Sequence, residues 1–319
     1  MQQPAPLLAS MAELCDFFHI KTTPEAGIRA PFCLQGPSAC CSGKTTCLIA
    51  RLLDENGSSV YCRLYRNAAQ SSCAEGFMMR DEDLLDAARR AHADNRAPLT
   101  LTLYLTQQPC HFSSSNDTNS CTENLLRWRQ EVLVGVGVSR LRIAATYPYR
   151  THWDDRCMSD DDLAQLGRRQ WGGRSGSGGG SGGGWGGGWG GGWGGGRGVS
   201  GRGGGGQWGG AGRSARGGRQ GGREEREASI RRARALLASA REGTAKLVSA
   251  EAAAEGISLE AFTDDDWEFI LSVAEEQVAA VYARGEPPFT AGFKKVRAQL
   301  DAFTKHVFDL YRPKVAATS

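Results

Sequence analysis

Cys73 and Glu75 stand two residues apart in Ser72-Cys73-Ala74-Glu75, where loop gives way to a helical pattern. Cys110 follows Pro109 at the end of an alternating apolar run, and Cys121 lies in Ser120-Cys121-Thr122-Glu123. This tetrapeptide has the Ser-x-x-Glu form of a helix start, with Ser120 as N-cap and Cys121 as the first helical residue. A thiol at that position faces the positive end of the helix dipole, which favours the thiolate that a metal requires. Cys73, just ahead of its own helix, has a similar setting. Three thiolates on a tetrahedral zinc leave one position for water, as in a catalytic rather than a closed structural site. The metal acidifies that water. Glu75, two residues beyond the first ligand, can reach it without binding the metal and can move its protons. His111, beside Cys110, competes as a ligand, and each cysteine taken singly also fits a small buried apolar side chain.

The elements that must bring these residues together are readable from pattern. Four runs read as strands on alternation or on β-branched and aromatic content: residues 46–52, 60–66, 99–107 and 141–147. The third is the clearest, with Leu99, Leu101, Leu103 and Leu105 on one face and Thr100, Thr102, Tyr104 and Thr106 on the other. A fifth covers residues 257–262. Helices are expected over 74–93, 122–134, 224–253, 264–282 and 291–311, the fourth capped by Thr263 with Asp266 in its first turn. In the last, Phe293, Val296, Leu300, Phe303, Val307 and Leu310 recur at helical spacing, a core-packing pattern. Strand–helix alternation predicts an α/β fold, a three-layer α/β/α sandwich around a five-stranded sheet.

Between the fourth and fifth strands the composition changes abruptly. Residues 171–222 are dominated by glycine, with Trp185, Trp189 and Trp193 at every fourth position. Ordering so much glycine costs more conformational entropy than so few apolar groups can offset, so a long disordered insert is expected here. From Gly167 to Arg223 there are nine arginines, no lysine and no acid; with an overall charge of +3, the remainder carries about −6. Attraction to nucleic acid would therefore reside mainly in this segment. Arg216-Gly-Gly-Arg219 supports an arm that neutralises phosphates while its tryptophans stack on bases; a bare linker is the alternative. The organisation that follows is an N-terminal segment (1–40), a first part of the domain with the candidate zinc site (41–166), the insert (167–223), a second part (224–285), and a C-terminal helix and tail (286–319).

At these residues the chain resembles the AID/APOBEC-like branch of the cytidine deaminase superfamily, particularly its divergent fungal and algal members. Leu103-Tyr104-Leu105-Thr106-Gln107-Gln108-Pro109-Cys110 is similar to the family's metal-binding strand, and Cys121-Thr122-Glu123-Asn124-Leu125-Leu126 to the helix that follows. Ile257-Ser258-Leu259-Glu260-Ala261-Phe262-Thr263 with Asp266-Trp267 is similar to the fifth strand and its helix. The resemblance implies a cytidine-deaminase-like sandwich whose fourth and fifth strands are parallel. It implies Zn2+ as cofactor on Cys73, Cys110 and Cys121, and hydrolytic conversion of cytosine to uracil at C4 by zinc-activated water, with Glu75 as proton shuttle. Single-stranded DNA or RNA is the implied partner.

Further positions follow from the same resemblance. Asn67 matches an asparagine that contacts the sugar, Tyr147 and Tyr149 fall where aromatic residues flank the extruded base, and His152 and Trp153 follow where an adjacent base would stack. The chain departs from the family in two ways. Cys73 stands where polynucleotide-editing relatives usually carry histidine, whereas cysteine there is commoner in enzymes acting on free cytidine. Ten residues, 111–120, separate the later cysteines instead of two, with Ser113 where the second cysteine would be. Deamination of free cytidine or its nucleotides is thus one alternative, and an inactive nucleic-acid-binding protein another.

Other signals are weaker. Gly43-Lys44-Thr45 is preceded by glycine at Gly36, six intervening residues rather than the four of a phosphate loop, and Cys40-Cys41 has no matching pair. No stretch approaches the roughly 18 apolar residues of a membrane helix and no signal peptide is visible, so an intracellular location, nucleus or cytoplasm, is expected. Ten scattered cysteines in 319 residues do not read as a disulfide framework.

Overall fold

The alternating leucines of the third run lie at the middle of a sheet. In a computed structural model the chain is described at residues 6–17, 46–67, 73–111, 120–148, 150–151, 155–156, 158–171, 217–286, 289 and 291–313. The strands are β1 (Cys47–Leu53), β2 (Ser59–Arg66), β3 (Leu99–Leu105), β4 (Val138–Ala145) and β5 (Ile257–Ala261), in the order β2-β1-β3-β4-β5. β1 pairs antiparallel with β2 and β3, while β3–β4 and β4–β5 are parallel. This is the expected five-stranded mixed sheet with its last two strands parallel. Parallel neighbours require long crossovers, and the Gly-rich tract lies in the second of them.

Ten α-helices complete the described elements: α1 (Met11–Phe17), α2 (Ala74–Met78), α3 (Glu82–Asn95), α4 (Cys121–Trp128), α5 (Asp160–Trp171), α6 (Gly217–Leu247), α7 (Ala250–Ala254), α8 (Asp264–Ser272), α9 (Glu276–Arg284) and α10 (Ala291–Asp309). Strand alternation sends Leu48, Ala50, Leu101, Leu103, Leu141, Ile143 and Leu259 to one face, where they pack with Met78, Leu84, Leu125 and Ala252 from α2, α3, α4 and α7. Cys47, Ile49, Tyr104 and Ala144 face the other way, onto Leu14 of α1, Trp267 and Ile270 of α8, and Val278 of α9. Helices thus cover both faces, giving the three layers expected. No helix among the described residues is long and apolar enough to cross a membrane.

Several expected helices are divided, each for a local reason. The 74–93 helix stops at Met79 because Asp81 begins a new one, its side chain accepting from the Asp83 N–H. The 224–253 helix divides at Ser249, which caps Ala252. The 264–282 helix breaks where the backbone of residues 273–275 pairs with the N-terminal segment: Leu7 and Leu8 donate to the Val273 carbonyl, and Glu275 donates to that of Leu8. Beyond α4 the chain passes through one π turn, Arg129–Leu133, and a 3₁₀ turn, Val134–Val136.

Helices also enter the 167–223 insert from both ends. α5 continues to Trp171 and α6 begins at Gly217, so the disorder expected for 167–171 and 217–223 is replaced by helix. The two pack as an antiparallel hairpin. Asp155 meets Arg241 at 2.9 Å, Asp160 meets Arg234 at 4.0 Å, and Gly167 lies against Ser229 so closely that a Cβ there would fall 1.9 Å from the Ser229 carbonyl oxygen. Leu163 and Leu166 bury with Ile230, Ala233, Leu236 and Leu237 in a third apolar cluster that also takes Leu300 of α10.

Candidate metal centre

The C-terminal end of β3 and the first turns of two helices bring the three sulfurs together. Cys73 is the N-cap of α2 in extended conformation, its carbonyl accepting from the Gly76 and Phe77 N–H groups at 3.0 and 3.4 Å. Past β3, Gln108 donates its backbone N–H to Tyr147 at 3.0 Å, carrying the β3–β4 alignment on towards Cys110. Thr122 then straps the Cys110 loop to the start of α4: its N–H donates to the Cys110 carbonyl at 3.0 Å and its hydroxyl to that of Pro109 at 3.3 Å. Cys121 is the first residue of α4, as expected, and Ser120 accepts from the Glu123 N–H at 3.0 Å. The reciprocal half of the capping box does not form, because the Glu123 carboxylate turns to Lys246 instead. The sulfurs of Cys73, Cys110 and Cys121 all lie within 4.8 Å of one another.

The electrostatics follow from that crowding. Cys110 is held well below the ordinary thiol range, first by hydrogen bonding from Cys121 and then from Cys73. Cys121 and Cys73, which keep their protons, are pushed up, each first by its bond to Cys110. Glu75, in the first turn of α2, is only 3% exposed, and its Oε2 is buried without a hydrogen-bond partner among the described residues. Burial first, and then the negative charge of Cys110, pushes its carboxyl up to about 7. A tetrahedral zinc with bonds of about 2.3 Å spaces its sulfurs about 3.8 Å apart, within the observed bound. Three soft donors beside an orphaned buried carboxylate oxygen fit such an ion with one position left for an exchangeable ligand. The centre is open on its Cys73 side, and Cys121 is buried.

No protein-family model matches this chain, and no curated protein matches its sequence.

The remaining expected site residues divide. His111 does not join the sulfurs: its Nδ1 lies 3.1 Å from Ser120 Oγ, and its Nε2 lies 3.6 Å from Glu242 and 3.8 Å from Glu123. Asn67 closes the β1–β2 pairing, its Oδ1 accepting from the Thr46 N–H at 2.8 Å. Tyr147, expected to flank a base, is buried in the third apolar cluster with its ring 6.4 Å from that of Phe303, so packing already covers it. Tyr149, His152, Trp153 and Arg216 lie outside the described residues, and of Arg219 only the backbone, in the first turn of α6, is described.

The sequence reading missed a buried polar network beside the sulfurs. Gln108, two residues before Cys110, donates from Nε2 to Thr151 and Thr244 at 2.8 Å each, and all three are buried. The available signal was a glutamine where the alternation of β3 meets the Cys110 loop. A cleft of about 590 Å³ lies at the opposite end of the parallel strands, lined by Arg129, Ser139, Arg140 and Gly256, and contains none of the thiols.

Proposed function

We propose that the chain is a zinc-dependent hydrolase that converts cytosine to uracil in single-stranded DNA or RNA, releasing ammonia. The observation that carries this reading is the convergence of three cysteine sulfurs, distant in sequence, beside the buried and unpartnered carboxylate oxygen of Glu75. Cys73, Cys110 and Cys121 would hold the metal. Bound there, zinc supplies Lewis acidity that makes water a competent nucleophile near neutral pH. Glu75 carries the first proton of the attacking water to the ring nitrogen N3, and the second, released as the C4 hydroxyl becomes a carbonyl, to the departing amine, which leaves as ammonia. Its burial in the first turn of α2 keeps that carboxyl beside the sulfurs and away from bulk water. The mixed sheet with β4 and β5 parallel agrees with the resemblance to AID/APOBEC-like deaminases. The nine arginines between Gly167 and Arg223 favour a polynucleotide substrate.

Cysteine at the first ligand position favours a second reading, deamination of free cytidine or its nucleotides. A third, loss of catalysis with retained nucleic-acid binding, predicts no uracil from any substrate. The test is zinc analysis of the purified chain together with uracil formation on a single-stranded oligonucleotide and on free nucleosides. The expected result is one zinc per chain, faster turnover of the oligonucleotide, and a Glu75→Ala variant that keeps zinc and loses activity. Retained turnover in Glu75→Ala removes the glutamate from the reaction.

A further inference from the structure

We infer that the C-terminal turns of α6 are the positioning device of the metal centre, with Gly243, Thr244 and Lys246 fixing the two chain segments that present Cys110 and Cys121. This inference rests on reading the three thiols as metal ligands. None of the three positioning residues belongs to the thiol cluster; they act through residues next to the ligands.

Gly243 is buried, and a Cβ built on it would stand 2.4 Å from His111 Cβ and 2.9 Å from its Cγ. Such a contact is with the root of the histidine side chain, so rotating the ring does not relieve it; the backbone beside Cys110 must move. In a helix interior alanine is favoured over glycine by about 0.5–1 kcal/mol, so close approach to His111, and not helix propensity, accounts for glycine here. Thr244, fully buried, accepts from Gln108 Nε2 at 2.8 Å and lies 2.8 Å from the Thr151 hydroxyl. Lys246 pairs with Glu123, two residues past Cys121, and with Glu242 at 3.0 Å. One turn of a single helix therefore grips the loop before Cys110, the residue after it, and the first turn of α4.

The physical need for such a grip is plain. Taking up a metal costs Cys73 and Cys121 the protons through which they bond Cys110, and a site already held in place loses less entropy in that step. Contacts of this kind around ligands change metal affinity by roughly 10- to 100-fold when broken. The helix that supplies them, α6, is also the one into which the Gly/Arg/Trp tract leads.

The test uses the full-length chain titrated with cobalt(II) against a competing chelator, following thiolate-to-cobalt charge-transfer absorption, with thermal melting of the metal-free protein alongside. Gly243→Ala is expected to weaken cobalt binding at least about tenfold and to alter the absorption band. Lys246→Met, at a half-exposed position, is expected to weaken it less, and it carries the test if Gly243→Ala does not fold. Gly167→Ala strikes the same helix pair at the Ser229 carbonyl, far from His111, and is expected to lower the melting temperature while cobalt affinity holds. Equal losses of affinity in Gly167→Ala and Gly243→Ala, or wild-type affinity in both Gly243→Ala and Lys246→Met, overturn the positioning role while leaving the metal centre standing. A wild-type chain that takes up no cobalt or zinc removes the metal centre itself.

Discussion

Glu75 and Asp301 are two carboxylates that burial treats alike and their neighbours treat differently. Each has one buried oxygen without a partner among the described residues, and burial is the largest cause that raises each, Glu75 to about 7 and Asp301 to about 6. Asp301, however, lies in the seam between α8 and α10, where its other oxygen accepts from Trp267 Nε1 at 2.9 Å and Arg297 stands 3.9 Å away. Arg297 in turn reaches Asp264 at 3.0 Å. That setting is one of packing: a tryptophan donor, an arginine shared between acids, and apolar side chains around them. Glu75 keeps company with three sulfurs instead. Burial and a displaced pKa are common to both; the companions are what differ.

Replacing each by its neutral amide sharpens the contrast. Glu75→Gln should lower turnover by about 10²- to 10⁴-fold, the range of general acid–base catalysis, with zinc content unchanged by metal analysis. A comparable loss of turnover in Asp301→Asn would break the comparison, since Asp301 is bonded to Trp267 and is no member of the thiol cluster.

The expected effect of Asp301→Asn is on stability and its pH dependence. The folded chain holds the Asp301 proton up to about pH 6, while the unfolded chain releases it near 3.9. The folded state therefore binds the proton more tightly, and this group's contribution is fully present below about pH 4 and is lost as pH rises through 6. The amide in Asp301→Asn keeps an acceptor for Trp267 and carries no charge. Chemical denaturation of this variant should show a gain on the order of 2 kcal/mol above pH 7, and a flatter profile between pH 4 and 6. The smallest effect expected is that of Ser120→Ala. Loss of the cap on α4 should cost about 1 kcal/mol in denaturant unfolding and should weaken zinc binding only slightly, because Thr122 still straps the Cys110 loop.

The sheet was legible because alternation is a local signal that survives folding. The leucines of β3 stand on one face of the sheet, and each strand begins within three residues of its expected start. The convergence of the three thiols was legible for a similar reason: Cys73 and Cys121 sit at helix starts and Cys110 in the loop that follows β3, and each of these is written in short stretches of chain. What could not be read depends on contacts distant in sequence. Leu7 and Leu8 divide the α8–α9 segment by pairing with its backbone, and no pattern within 264–282 announces them. Tyr147 illustrates a different difficulty, since an aromatic after a strand reads identically whether it meets solvent or, as here, a helical hairpin. Gly243 gave no signal because its meaning lies in what passes beside it.

The antiparallel course of α5 and α6 has one more consequence. Because the hairpin brings Trp171 and Gly217 towards the same end, the register of the strands and the grip on the thiols are set without reference to how much chain lies between those two residues. The entropy of closing a flexible loop rises by only about 0.6 kcal/mol for each doubling of its length. A glycine repeat at that point is therefore free to gain or lose copies over generations, a place where the gene can drift in length while the strands and the three thiols stay in register.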